Sequence, residues 1–223
     1  MAVLGLMNLY GHVIWSGFRV QYGLTDALME NYLLEHTFRW AFNPHYSYPL
    51  GSPPYFYPLQ GQFWRSENLL GAAPLYWLLR TAFTWNMAMQ LWCMACSLGN
   101  FAAMTWALQR LGVRPVLAWV GGYLYAFGLT TAARLFHPEF LPRAFMVLSF
   151  YWVLRFFEAP SPRRLVAAAG FWYWQLLASL YLGYFMLLAL VPMGLVLVAG
   201  RVGRMRAYLV QQWKSTGVAL LGV

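Results

Sequence analysis

Residues 165–200 read LVAAAGFWYWQLLASLYLGYFMLLALVPMGLVLVAG, a block of 36 residues without one Asp, Glu, Lys or Arg. A helical membrane span needs ~20 apolar residues. The block is too long for one span and about right for two joined by a tight turn. Tyr181-Leu182-Gly183-Tyr184 is the expected turn. The pattern recurs upstream. Asn86 to Leu108 is apolar and ends at Arg110 and Arg114; Val116 to Ala133 is apolar and ends at Arg134. Phe140 to Phe157 is a third run, followed by Pro160, Pro162, Arg163 and Arg164. Met1 to Val20 is apolar but interrupted by Asn8, His12 and Ser16, and lacks the basic start and cleavage site of a signal peptide. It reads as a first span. The expected fold is all-α: a polytopic helical membrane protein with about six transmembrane helices.

Composition agrees. Of the 223 residues 61% are apolar, 19% aromatic and only 9% charged, where a soluble domain carries roughly 25% charged residues. So few charges cannot cover a soluble globule, whereas lipid requires no polar surface. Residues 1–223 read as one transmembrane domain. Ser215 to Val223 reads as the start of a further, truncated span. Fifteen basic residues, all but Lys214 arginines, stand against six acids and give a net charge of +9. They lie between apolar runs and form no stripe, which excludes a nucleic-acid partner. Cys93 and Cys96 sit inside an apolar run, where free cysteine packs as a small hydrophobe.

Residues 19–84 differ. Five prolines and several aromatics between Asn43 and Pro58 forbid a regular helix there. On one side, Asp26 to Phe42 has a helical pattern that Thr25 can cap, with Leu28, Tyr32, Leu33 and Phe38 near one face and Glu30 and Glu35 elsewhere. On the other side, Ser66 to about Phe83 reads as a second interfacial helix. Basic residues gather on the cytoplasmic side of membrane proteins. Placing Arg110/Arg114, Arg163/Arg164 and Arg201 to Lys214 there makes 19–84 a large first external loop carrying both interfacial helices. Five of the six acids then fall outside.

External acids have an ordinary role as loop solvation, and interfacial Trp and Tyr have one as anchors. A functional role needs convergence. Asp26 and Glu67 each stand at a helix start and are the candidate catalytic pair: as general base toward an acceptor hydroxyl, or as ligands of a divalent cation, magnesium or manganese, that neutralises a phosphate leaving group. Arg134 and Arg143 flank His137-Pro138-Glu139. Arginine keeps its charge in apolar surroundings and forks onto phosphate oxygens, so both are candidates to hold a lipid phosphate, with His137 between them. Glu35 and His36 complete the candidate substrate-binding residues.

The stretches Asp26-Ala-Leu-Met-Glu-Asn31-Tyr-Leu-Leu-Glu35-His36, Pro53-Pro-Tyr-Phe-Tyr-Pro58, Ser66-Glu67-Asn68-Leu-Leu-Gly71-Ala-Ala-Pro74-Leu-Tyr76 and Phe136-His137-Pro138-Glu139 follow one another over roughly residues 20–185. In order and spacing they resemble the GT-C class of membrane glycosyltransferases, and more closely bacterial multi-spanning proteins of the YfhO type. The resemblance implies a polyprenyl-phosphate-linked sugar donor, a catalytic acid in the first external loop at Asp26, often a divalent metal, and a bacterial inner-membrane location among membrane lipids. Two other readings stand beside it: a lipid or polysaccharide transporter or flippase, and a non-enzymatic membrane scaffold.

Overall fold

The computed structural model describes residues 1–19, 26–203 and 206–211. Thr25, the expected cap, and the expected partial span 215–223 lie outside the described residues. Among those described, every regular element is helical: α1 (Ala2–Trp15), α2 (Asp26–Phe42), α3 (Ala73–Arg80), α4 (Trp85–Arg110), α5 (Pro115–Phe127), α6 (Leu129–Ala132), α7 (Ala144–Glu158), α8 (Pro162–Ala178) and α9 (Leu180–Ala199), with three short 3-10 turns. Helix α4 is the hub and packs against α1, α2, α3, α5 and α7; α7, α8 and α9 form the other side.

Three segments are long and apolar enough to cross a membrane: Trp85–Arg110, Pro138–Glu158 and Leu180–Ala199. Helix α1 has 14 residues and rises only ~21 Å at ~1.5 Å per residue. The expected span at 116–133 is divided, because Gly128 is extended (ψ 173) between α5 and α6. Many outward residues of the bundle are large and apolar, among them Leu117, Leu124, Leu188, Val191 and Leu195. A lipid-facing surface has this character, since nothing outside it needs a polar partner.

Helix ends follow local chemistry. Helix α4 stops where Gly112 takes a left-handed turn (φ 86) and Val113 N–H reaches back to Leu108 O, an end that favours glycine. Ser161 accepts from Arg164 N–H and Pro162 opens α8, a capping residue followed by a proline that needs no N–H partner. The α8–α9 break falls at extended Ser179, not at Tyr181–Tyr184. Gly183 is inside α9 and serves packing: a Cβ there would sit 2.5 Å from Leu176 Cα. The second loop helix is also shorter than Ser66–Phe83 suggests. Leu69 has φ 53, Asn68 Oδ1 accepts from Leu70 N–H, and the helix starts only at Ala73.

Buried amides fix the entrance to α7. Asn100 donates to Leu141 O (2.7 Å) and accepts from Arg143 N–H (2.9 Å). Gln175 donates to Pro142 O (2.7 Å) and accepts from Met146 N–H (2.9 Å). Satisfied buried networks of this kind hold one geometry because breaking any member strands a polar group. The 137–143 turn is thus set rigidly against the bundle. Cys96 is buried in the same core as Trp92 and Met94, and Cys93 packs against it.

Candidate functional site: acids and a histidine at the helix ends

Helix α2 begins at Asp26 and meets the 3-10 turn Pro138–Phe140. Asp26 Oδ2 lies 2.7 Å from His137 Nδ1, and Glu139 Oε1 lies 3.5 Å from the same nitrogen. One ligand atom from each of the three falls within 4.8 Å of the others. Asp26 and His137 are partly exposed, whereas Glu139 is buried. One helical turn beyond Asp26, Glu30 is 1% exposed, and its Oε2, like Glu139 Oε2, has no hydrogen-bond partner among the described residues. Burial pushes the Glu30 carboxyl well above its ordinary value, and the charges of Glu139, Glu67 and Asp26 push it further. Asp26, Glu67 and Glu139 thus surround Glu30 with negative charge at one end of the bundle.

The helical spacing expected of α2 is correct in extent but not in face. Glu30 and Glu35 are buried while Leu28 is exposed. For Glu35 the reason is pairing: charged residues enter an interior when partners await them. Glu35 receives Arg80 Nε (2.8 Å), Arg39 Nε (3.0 Å) and the Tyr76 hydroxyl (3.0 Å). Burial alone would raise its pKa; the hydrogen bonds from Arg80, Arg39 and Tyr76 prevail and hold it below the ordinary value. His36 faces Tyr46 OH at Nδ1 (2.8 Å) and Leu50 O at Nε2 (3.0 Å). The carbonyl can only accept, so Nε2 carries the proton and Tyr46 donates to Nδ1 in the neutral ring.

Glu67 is placed differently from Asp26. Its two oxygens accept from Leu180 N–H and Tyr181 N–H, both at 2.8 Å. It is buried at the N-terminus of α9, where free amide groups and the helix dipole favour a carboxylate. Burial still raises its pKa, against the two backbone bonds. Arg143 donates to Tyr125 O (3.0 Å) and Thr131 Oγ1 (2.6 Å), with its guanidinium 4.8 Å from the Tyr125 ring centre; its Nε is buried without a partner among the described residues. Arg134 is exposed, 5.1 Å over the Phe140 ring.

Of the sequence-derived candidates, the structure joins Asp26 to His137 and puts Glu35 and His36 together in a separate cleft. It ties Glu67 to α9. The residues that sequence reasoning left out of the site are Glu30 and Glu139. The Asp26–Glu30 spacing of four, one helical turn, was the available signal. Comparison with protein-family models, with curated proteins and with solved structures finds no match to this chain.

Proposed function

We propose that this chain is a membrane-embedded glycosyltransferase, or its N-terminal part, that moves a sugar from a polyprenyl-phosphate-linked donor to an acceptor on the outer face of a bacterial plasma membrane. The observation that carries the reading is the Asp26–His137 contact across 111 positions of chain. With Nδ1 held by Asp26, Nε2 of His137 is the nitrogen that meets an acceptor. It takes the proton of the acceptor hydroxyl as that oxygen attacks the anomeric carbon, and Asp26 stabilises the imidazolium so formed. Arg134 and Arg143, on either side of this turn, receive the departing phosphate.

In place of that proton transfer, and exclusive of it, Asp26, His137 and Glu139 are the residues that would hold a divalent cation, because they offer two carboxylates and an imidazole in one place. Such an ion would supply positive charge to the leaving phosphate. The finer topology belongs to the same proposal. Six spans (α1, α4, α5 with α6, Pro138–Glu158, α8 and α9) leave the arginine-rich connections inside and residues 19–84, with their acids, outside.

The test is Asp26→Asn in proteoliposomes supplied with labelled polyprenyl-phosphate sugar. Transfer is expected to vanish while the variant inserts and keeps its helical spectrum. Wild-type transfer by a folded Asp26→Asn protein would sink the assignment. A second reading, a proton-coupled lipid or polysaccharide transporter, is favoured by the unpartnered buried oxygens of Glu30 and Glu139, since buried acids in membrane proteins commonly carry protons. That reading expects proton flux with no sugar consumed.

A further inference from the structure

Helix α2 has a second functional face. Tyr32, Glu35, His36 and Arg39 recur at i, i+3, i+4 and i+7, one stripe of a helix, and lie roughly 150° around the axis from Asp26 and Glu30 at ~100° per residue. With Tyr46 and Trp85 they line a cleft of about 210 Å³. Its walls are fixed in advance. The Tyr32 hydroxyl accepts from Tyr55 N–H (3.1 Å), the Tyr46 hydroxyl is held by His36, and Glu35 is clamped by Arg80 and Tyr76. Small-molecule sites have this composition: apolar and aromatic walls with a few immobilised polar groups.

Charge narrows the ligand. One carboxylate, Glu35, faces two guanidiniums, Arg39 and Arg80. His36 is neutral, and Arg80, outside the lining, satisfies Glu35, so Arg39 is the charge that the cleft presents to a ligand. Among the described residues Arg39 reaches Glu35 through Nε alone, and its side chain is 54% exposed, which leaves its terminal amino groups for a ligand. Aromatic rings present flat apolar faces with polar tips, and the C–H face of a pyranose packs on such rings while its hydroxyls meet fixed polar groups. We propose that this cleft binds an anionic saccharide unit, a sugar ring bearing a carboxylate or phosphate, with the ring against Tyr32, Tyr46 and Trp85 and the anion on Arg39. It deepens the glycosyl-transfer reading and rests on it only in naming this unit part of the acceptor. Arg39 is thirteen positions from Asp26, ~20 Å along the helix. The acceptor is then an oligosaccharide whose anionic residue docks remotely from the hydroxyl that reacts.

The experiment is saturation-transfer NMR on the full chain in nanodiscs, with glucuronate, glucose and methyl phosphate, each read through its C–H protons, as separate probes and no donor present. Glucuronate ring protons are expected to receive saturation, glucose protons at least tenfold less. Arg39→Gln, a change at a half-exposed side chain, is expected to remove the preference, and Trp85→Leu to remove ring-proton transfer. No transfer to either sugar, methyl phosphate binding alone, or a glucuronate signal unchanged in both variants would each overturn the proposal. Binding is read without turnover, so its failure leaves the Asp26→Asn result untouched.

Discussion

Glu67 Oε1 accepts from Tyr181 N–H at 2.8 Å, and Oε2 accepts from the preceding amide of Leu180. One carboxylate from the first loop thereby closes the start of a helix more than a hundred residues later. Capping acceptors contribute ~1 kcal/mol, and up to ~2 kcal/mol in partly buried sites. Glu67→Ala is expected to lower the unfolding free energy by about that amount. Glu67→Gln, which keeps one acceptor oxygen, is expected to lose less. Thermal unfolding in detergent reads both. If Glu67 instead reacts with substrate, Glu67→Gln abolishes transfer at undiminished stability.

His36 joins α2 to the proline-rich loop through Tyr46 and Leu50. Burial holds its pKa below the ordinary 6.5, against the Leu50 hydrogen bond, which favours the charged form. The unfolded chain therefore binds the proton more readily than the folded one. The stability from His36 is complete above pH 6.5 and is lost as pH falls through the lower folded value. The protection of the loop amides around Tyr46–Leu50 against hydrogen exchange, relative to their intrinsic rates at each pH, is expected to fall as pH drops through that window. In His36→Gln the same amides are expected to exchange faster at neutral pH and to lack the histidine-dependent step.

Arg80 approaches Glu35 at 2.8 Å, with side chains 26% and 9% exposed. Removing one member strands a largely buried charge, which costs more than the pair contributes. Arg80→Met is expected to destabilise by about 2 kcal/mol, below the ~3–5 kcal/mol of fully buried pairs because Arg39 and Tyr76 remain on Glu35. Glu35→Gln combined with Arg80→Met is expected to recover part of the loss. A double-mutant cycle measures this, and strict additivity would show that the two charges act independently.

The extent of α2 was legible because Asn43-Pro44 ends any helix, and α4 was legible because its apolar run meets Arg110 and Arg114. The α8–α9 break falls at Ser179, two residues before the expected Tyr181–Tyr184 turn: Gly183 looks like a turn residue, yet it is small because Leu176 lies against it. The inward turn of Glu30 and Glu35 was hidden, since hydropathy ranks an acid outward whatever partner awaits it. The long-range pairings were beyond reach for another reason. Asp26 and His137 meet across 111 positions of chain, beside an α7 entrance that Asn100 and Gln175 fix, and no local pattern encodes that meeting.

Asp26, His137 and Glu139 also differ from Glu67 in what they can ligate. Two carboxylates with an imidazole suit manganese better than magnesium, which prefers an all-oxygen shell with several waters. Manganese added to the purified protein is expected to lose its free-ion paramagnetic resonance signal, with magnesium competing only weakly. His137→Ala is expected to weaken binding at least ~tenfold, the scale on which lost support or ligation is felt at metal sites. Glu67→Gln is expected to leave it unchanged, because both Glu67 oxygens belong to the amides of α9. Equal weakening in the two variants would put Glu67 on the ion with Asp26 and remove it from the helix cap.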